Sequence, residues 1–221
     1  MRALRDLIVG RANPRSISAR ARARRWQELV RRFPDLRSMR VLDLGGTPTF
    51  WRTAPQRPAH VTVVNTIPTL AADEPWIDVV VADACGLQVT AQAYDLVVSN
   101  SLLEHIVPAD RRGQLADVIR AAADRYWVQT PNRYFPIEPH WLFPAFQFLP
   151  FGARVLVTRT WPLGHRHDRD RQRAVELVNE VELIGSDEMR LLFPDAEIWV
   201  ERFMGLPKSL VAIRGGATTS G

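Results

Sequence analysis

Apolar positions along the chain fall into two patterns that alternate. Runs of consecutive apolar residues, many of them β-branched, occupy Met39–Leu44, His60–Ile67, Ile77–Ala82, Tyr94–Ser99 and Arg125–Thr130 and predict five strands. Between and before them the spacing is helical. Residues 16–33 carry Trp26, Leu29, Val30 and Phe33 on one face, with Ser16 or Ser18 to cap and Pro34 to stop the helix. Pro108–Ala123 places Leu115, Val118 and Ile119 together, and Ile184–Leu192 starts with Ser186 as cap and Asp187 and Glu188 in its first turn. Residues 196–203 and 207–214 read as a closing antiparallel pair of strands.

Strands that are apolar throughout, alternating with helices, predict an α/β protein with a doubly wound, Rossmann-like, mostly parallel sheet covered on both faces. In such sheets ligands sit beyond the carboxyl ends of the strands, where the strand order reverses. That singles out Asp43-Leu44-Gly45-Gly46, Asn65-Thr66, Asp83-Ala84, Ser99-Asn100-Ser101 and Thr130-Pro131-Asn132.

Composition narrows the class. With 221 residues, 46% hydrophobic and 24% charged, the chain is long and apolar enough for a sizeable core, which excludes disordered, collagen-like and low-complexity proteins. The single Cys85 excludes an internal disulfide and a multi-cysteine zinc site. No apolar leader and no run of about 18 apolar residues is present; the expected location is cytoplasmic. Charge divides the chain into a basic N-terminal helical arm (1–37), a main domain (38–214) with an acceptor or lid insertion at about 131–183, and a flexible tail (215–221). The first forty residues hold twelve arginines against Asp6, Glu28 and Asp35, while the remainder is slightly acidic. The arm is compatible with a transient membrane-surface contact, but a solvated helix is the simpler expectation, and no stable nucleic-acid partner is expected.

The turns after the strands carry candidate chemistry. A strand entering Asp-x-Gly lets the backbone approach a ligand closely. About twenty residues on, where a ribose diol is held in dinucleotide folds, stands Asn65. Asp83 can accept from an adenine amino group. The segments Val41-Leu42-Asp43-Leu44-Gly45-Gly46, Val79-Val80-Val81-Ala82-Asp83-Ala84 and Tyr94-Asp95-Leu96-Val97-Val98-Ser99-Asn100-Ser101-Leu102-Leu103-Glu104-His105-Ile106 resemble the class I S-adenosylmethionine-dependent methyltransferases, in particular the small-molecule group called type 11. The resemblance covers about residues 38–214. It implies a seven-stranded sheet with the last strand antiparallel and S-adenosylmethionine as cofactor, held by Asp43, Gly45, Gly46, Asn65, Asp83, Ala84, Ser99 and Asn100. The chain departs from the family pattern where Thr47 and Thr49 replace loop glycines and where neutral Asn65 replaces an acid.

Thr130-Pro-Asn-Arg-Tyr-Phe-Pro-Ile-Glu-Pro-His-Trp leaves the fifth strand at the same edge, and long irregular segments there form lids or acceptor pockets. Asn132, Tyr134 and Trp141 are the candidate acceptor-binding residues, with Trp141 and Trp161 as exposed indoles for sugar faces. His140 is the candidate general base, Glu138 its orienting partner and His105 the rival base; Glu104 reads as structural. A divalent metal is compatible with these donors but not required, and the polar run His165, His167, Asp168 and Asp170 reads as a solvated loop. The expected activity is O-methylation of a small molecule, with a saccharide or glycolipid acceptor favoured because related members, including actinobacterial ones, modify sugars. Three alternatives remain. One is a lipid or quinone methyltransferase with residues 141–157 as an apolar tunnel. Another is a nucleic-acid methyltransferase, which Ser99-Asn100-Ser101-Leu102 does not fit because it lacks the Asn/Asp-Pro-Pro-aromatic signature. The third is a non-catalytic binding protein on this fold.

Overall fold

The computed structural model describes residues 17–217; the first sixteen residues of the basic arm and residues 218–221 of the tail lie outside the described residues. The elements are α1 (Ile17–Arg32), β1 (Arg40–Leu44), α2 (Pro48–Arg52), β2 (His60–Asn65), β3 (Ile77–Val81), β4 (Leu96–Asn100) and α3 (Arg111–Ala122). Then follow β5 (Tyr126–Pro131), β6 (Ile137–Glu138), β7 (Phe143–Pro144), α4 (Phe151–Thr160), α5 (Arg171–Asn179), α6 (Ser186–Leu192), β8 (Glu197–Phe203) and β9 (Leu206–Arg214).

Seven strands form one sheet in the order β3-β2-β1-β4-β5-β9-β8. β1 to β5 run parallel, and β9 lies antiparallel to both β5 and β8. The order reverses between β1 and β4, so the crevice for a ligand opens at their carboxyl ends. Each central strand is buried on both faces, and successive residues point to opposite cores. Leu42, Val97, Val128 and Ala212 face α3 and α6, with Leu115, Ile119, Met189 and Phe193. Val41, Val61, Val98 and Ile213 face α1 and α2, with Trp26, Leu29, Phe33 and Trp51.

Two features of the arm and tail differ from the sequence expectation. Helix α1 is part of the domain, because Trp26, Leu29 and Phe33 are buried in the second core. Its arginines are also engaged: Arg32 is buried between Glu28 and Glu197, and Arg25 donates to Gln129 Oε1 at 2.6 Å. The start of the tail is tied back, since Ala217 N donates to Arg32 O at 2.8 Å. The Arg32 guanidinium joins α1 to Glu197 of β8 and donates from Nη1 to Ala217 O at 3.2 Å.

The insertion is not irregular. It contains the β6–β7 hairpin and helices α4 and α5, and it has its own small core of Trp141, Phe146, Val155, Ala174, Val178 and Leu183. Of the stretch 141–157, Trp141, Phe146 and Val155 enter this core, while Phe151, Gly152 and Leu156 line a cavity with Val155, Arg159, Arg171 and Val175. Asp170 caps α5 by accepting from Arg173 N at 2.8 Å. No described helix is long and apolar enough to cross a membrane.

Candidate active site

β1 delivers Asp43 to the switch point and then turns at Gly45, whose φ of +79° is a conformation that favours glycine. Asp43 is fully buried; its Oδ2 accepts from Trp51 Nε1 at 2.7 Å, and its Oδ1 has no hydrogen-bond partner. Burial, opposed only by the indole hydrogen bond, pushes the Asp43 carboxyl up to about 7. Gly46 lets this carboxyl lie beneath the turn, because a Cβ there would stand 1.7 Å from Asp43 Oδ2. The α2 helix begins directly after, with Pro48 in its first turn, and its Phe50 and Trp51 pack on Trp26 of α1.

The neighbouring strand ends support this turn. Asn65 Nδ2 donates to Gly45 O at 3.1 Å and Gly46 O at 2.7 Å, while its Oδ1 accepts from Ile67 N at 3.2 Å. Asn65 thus fixes the glycine turn and does not present a free amide. Asp83 caps the Ala84–Gly86 turn through Cys85 N at 3.0 Å and pairs with Arg111; the Cys85 hydrogen bond and Arg111 hold its carboxyl below the usual range. Ser99 Oγ donates to Leu44 O at 3.1 Å, and Asn100 Oδ1 accepts from Trp127 Nε1 at 3.2 Å. Ser99 and Asn100 thereby tie β4 to its neighbours, and Ser101 just beyond has a positive φ of 55°.

A second group converges at the mouths of β4 and β5. The turn after β4 carries Glu104 and His105, and the β6–β7 hairpin brings Glu138 and His140 across to them. The His105 and His140 rings stand edge to face with centroids 5.0 Å apart. Glu138 is buried and fully used: Oε2 accepts from the backbone of His140 at 2.7 Å and of Trp141 at 2.8 Å, and Oε1 meets His140 Nδ1 at 2.7 Å. His105 Nδ1 donates to Glu180 O at 3.2 Å. Glu104 is fully buried; Thr130 Oγ1 donates to its Oε2 at 3.0 Å, and its Oε1 has no partner. Burial first, and then the adjacent His140, lower His105 to about 4, so this ring is neutral near pH 7. Burial also pushes the Glu104 carboxyl up, with His140 opposing.

The remaining expected residues divide. Tyr134 is 65% exposed on the insertion and stacks with Phe148. Asn132 is buried, and its amide holds Pro207 O at 3.1 Å and Tyr134 N at 3.0 Å. Trp141 is a correction: it is 1% exposed, stacks on Phe146 with centroids 4.1 Å apart, and donates from Nε1 to Thr158 Oγ1 at 2.8 Å. An indole so enclosed cannot offer its face to a sugar. His167 binds Thr158 O at 2.9 Å through Nδ1, and Asp168 and Asp170 cap turns. The sequence did not bring out the nearness of Glu104 to the two imidazoles or Trp51 as the partner of Asp43. The signal for Glu104 was an acid in the apolar string Leu102-Leu103-Glu104-His105-Ile106; for Trp51 there was none beyond its closeness in sequence.

Neither a scan against protein-family models nor a comparison with curated proteins finds a match. Solved structures do match. An S-adenosylmethionine-dependent methyltransferase from Mesorhizobium loti is 17% identical, with a TM-score of 0.55 over 88% of this chain and 98% of that one. Magnesium protoporphyrin IX methyltransferase from Synechocystis, solved with bound S-adenosylhomocysteine, is 13% identical, with a TM-score of 0.54 over 89% of this chain and 82% of that one. A protein described as a putative Zn-dependent alcohol dehydrogenase from Rhodobacter sphaeroides is 12% identical, with a TM-score of 0.60 over 86% of this chain and 87% of that one. At these identities the likeness concerns the fold. The strand order, the antiparallel β9 and these structural matches together show that the chain has the fold of the class I S-adenosylmethionine-dependent methyltransferases.

Proposed function

We propose that this protein is an S-adenosylmethionine-dependent methyltransferase that methylates a hydroxyl of a small molecule. The observation that carries the reading is the sharing of one sheet edge by two sets of groups. The glycine turn over buried Asp43 lies at the β1/β4 switch point, and the Glu138–His140 pair reaches the adjacent mouth of β4 and β5. The residues fit the cofactor: Asp43 Oδ1 is a buried acceptor without a partner, and the turn above it is made by Gly45 and Gly46, where a Cβ would meet Leu102 and Asp43. Asp43, Gly45 and Gly46 would hold its methionine end, with Asp83 and Ala84 toward the base and Asn65 maintaining the turn. The bound cofactor supplies an electrophilic methyl group on a sulfonium.

A hydroxyl is a poor nucleophile until its proton is taken. His140 supports that role. Its Nδ1 is fixed by Glu138, which leaves Nε2 directed away from that carboxylate and available to an acceptor. Glu138 orients the ring and stabilises the imidazolium that forms. Tyr134 offers an aromatic face on the same insertion, where it stacks with exposed Phe148, and Phe151 and Leu156 of α4 also leave apolar surface exposed. This combination favours a glycolipid, with a free saccharide as the simpler version of the same acceptor.

Calorimetry with S-adenosylhomocysteine tests the reading first. Binding to the wild type and its loss in Gly45→Val, with the variant still folded, support it; no binding to the wild type leaves a non-catalytic protein on this fold. Turnover on hydroxylated acceptors then tests the base. His140→Ala is expected to lose about 10²–10⁴-fold in rate with cofactor affinity unchanged.

A further inference from the structure

We propose that Glu104, His105 and His140 form a binding site for a divalent first-row transition-metal ion. Each of the three offers one donor atom, and these atoms lie within 4.8 Å of one another. This is the one such group among the described residues.

Four observations make the cluster a built site. The Glu104 carboxyl is fully buried, and its Oε1 has no hydrogen-bond partner. A buried carboxylate oxygen left without a partner is costly, and a cation removes that cost. Thr130 meanwhile fixes the other oxygen at 3.0 Å. Both imidazoles are anchored through Nδ1, His140 on Glu138 at 2.7 Å and His105 on Glu180 O at 3.2 Å. An imidazole that gives Nδ1–H to a carboxylate or a carbonyl presents unprotonated Nε2, the arrangement that orients histidine ligands in metal sites. Finally, the donors come from two independent supports, the turn after β4 and the β6–β7 hairpin, and each is tied down. Glu182 N donates to Glu104 O at 2.8 Å, and His165 N donates to His140 O at 2.8 Å.

The donor set selects the ion. Two imidazole nitrogens and one carboxylate suit zinc, cobalt, manganese or ferrous iron, and disfavour magnesium and calcium, which prefer oxygen-only shells. Metal–nitrogen bonds of about 2.1 Å place tetrahedral ligands roughly 3.4 Å apart, so the donors close by an ångström or so when the ion enters. Three protein ligands leave at least one coordination position open, which is the pattern of catalytic metal sites. The use of that open position for an acceptor hydroxyl rests on the methyltransferase reading; the binding of the ion does not. In the loaded protein His140 becomes a ligand, and the cation takes over the lowering of the hydroxyl pKa.

The test uses the full chain, without an affinity tag, stripped of metal by chelation. Calorimetric titration with Zn²⁺ and Mg²⁺, and visible absorption during titration with Co²⁺, read binding directly. The expected result is one Zn²⁺ or Co²⁺ per chain, a ligand-field band for cobalt, and at least hundredfold weaker Mg²⁺ binding. Glu104→Gln and His140→Ala should each weaken Zn²⁺ binding at least a hundredfold. Thermal melts report whether these variants fold, and His105→Gln gives a further variant should Glu104→Gln fail to fold. Asp43→Asn, on the neighbouring strand and outside the cluster, should leave metal binding intact. No stoichiometric binding of Zn²⁺ or Co²⁺ overturns the proposal. So does binding that survives all three cluster substitutions, which would be adventitious. S-adenosylhomocysteine binding is measured in parallel: cofactor without metal removes this site and spares the methyltransferase reading, and metal without cofactor does the reverse.

Discussion

The indole Nε1 of Trp51 donates to Asp43 Oδ2 at 2.7 Å inside the sheet edge, and it is the one hydrogen bond that this buried carboxyl receives from a side chain. One donor does not compensate a carboxylate for the loss of water, so Asp43 takes up its proton in the fold at a pH where an unfolded chain has already released it.

This has a pH signature. Asp43 titrates near 7 in the fold against an ordinary value of 3.8. The folded state therefore binds the proton more tightly, and its advantage is complete below about pH 4 and lost as pH rises to about 7. The full displacement corresponds to about 4 kcal/mol, and 1–4 kcal/mol is the expected range. Asp43→Asn keeps an acceptor for Trp51 and does not titrate. Denaturant unfolding at pH 5 and pH 8 should show the wild type losing stability across this interval relative to Asp43→Asn. Parallel curves for the two proteins would mean that Asp43 is ionised in the fold.

Gly46 provides a steric test of the same site. A methyl group there would lie 1.7 Å from Asp43 Oδ2, so the carboxyl must move off Trp51. Gly46→Ala should lower the melting temperature and weaken S-adenosylhomocysteine binding at least tenfold. Gly113, on α3, has nothing within 4 Å of its added Cβ. Gly113→Ala should leave cofactor affinity unchanged and raise stability by about 0.5–1 kcal/mol through helix propensity. Equal effects of the two substitutions would contradict the assignment of the turn.

Trp141 separates core from acceptor site. It is enclosed by Phe146 and tied to Thr158, so Trp141→Ala should cost about 3–5 kcal/mol, as large-to-small core changes do. Trp141→Phe should cost less, about 0.5–1.5 kcal/mol for the lost bond, because the Thr158 hydroxyl still donates to Arg154 O at 2.8 Å. Urea unfolding measures both. An unchanged stability with a raised KM for a sugar acceptor would instead make Trp141 a stacking platform.

The sheet was legible because β1, β4 and β5 are buried on both faces, so their apolar runs are continuous whatever packs on them, while β2 and β3 are rich in β-branched residues although β3 is largely exposed. Polar positions at or just beyond the carboxyl ends of those runs, Asp43, Asn65 and Asp83, stood out against them. Helices α4 and α5 were not, because their contact is with each other. On α4, Val155 is buried while Phe151 and Leu156 are exposed, which gives no clean apolar face. His140 and Glu138 stood out by side-chain chemistry, yet the nearness of His140 to Glu104 is a tertiary fact of the β6–β7 hairpin folding back over β4. The hydrogen bonds of Asn65 and the burial of Trp141 were not legible, because what each amide or indole binds is set by residues distant in sequence, Gly45 and Gly46 in one case and Thr158 in the other.

Glu138 is the residue through which the site's geometry can be tested without removing a reacting group. Its carboxylate serves three donors at once: the backbone N–H groups of His140 and Trp141 and the ring at His140 Nδ1. A glutamine has one acceptor oxygen and an NH₂ that faces donors with a donor, so it can satisfy either the backbone pair or the ring. In Glu138→Gln we expect the backbone pair to keep the oxygen, because two donors share it, and the His140 ring to lose its anchor. Free to rotate and to exchange its protonated nitrogen, the ring then presents Nε2 only part of the time. Turnover should fall about 10–100-fold, the usual scale for losing the partner that orients a histidine. KM for the acceptor and affinity for S-adenosylhomocysteine should barely change, because Glu138 belongs to the insertion and not to the Asp43 turn. Glu138→Asp shortens the reach by a methylene and should do as badly as glutamine, although it keeps the charge. Steady-state kinetics with calorimetry on the three proteins decides the matter. Full turnover in Glu138→Gln would show that His140 is held by other contacts, and a loss of cofactor binding would show that Glu138 supports the whole edge and not this one ring.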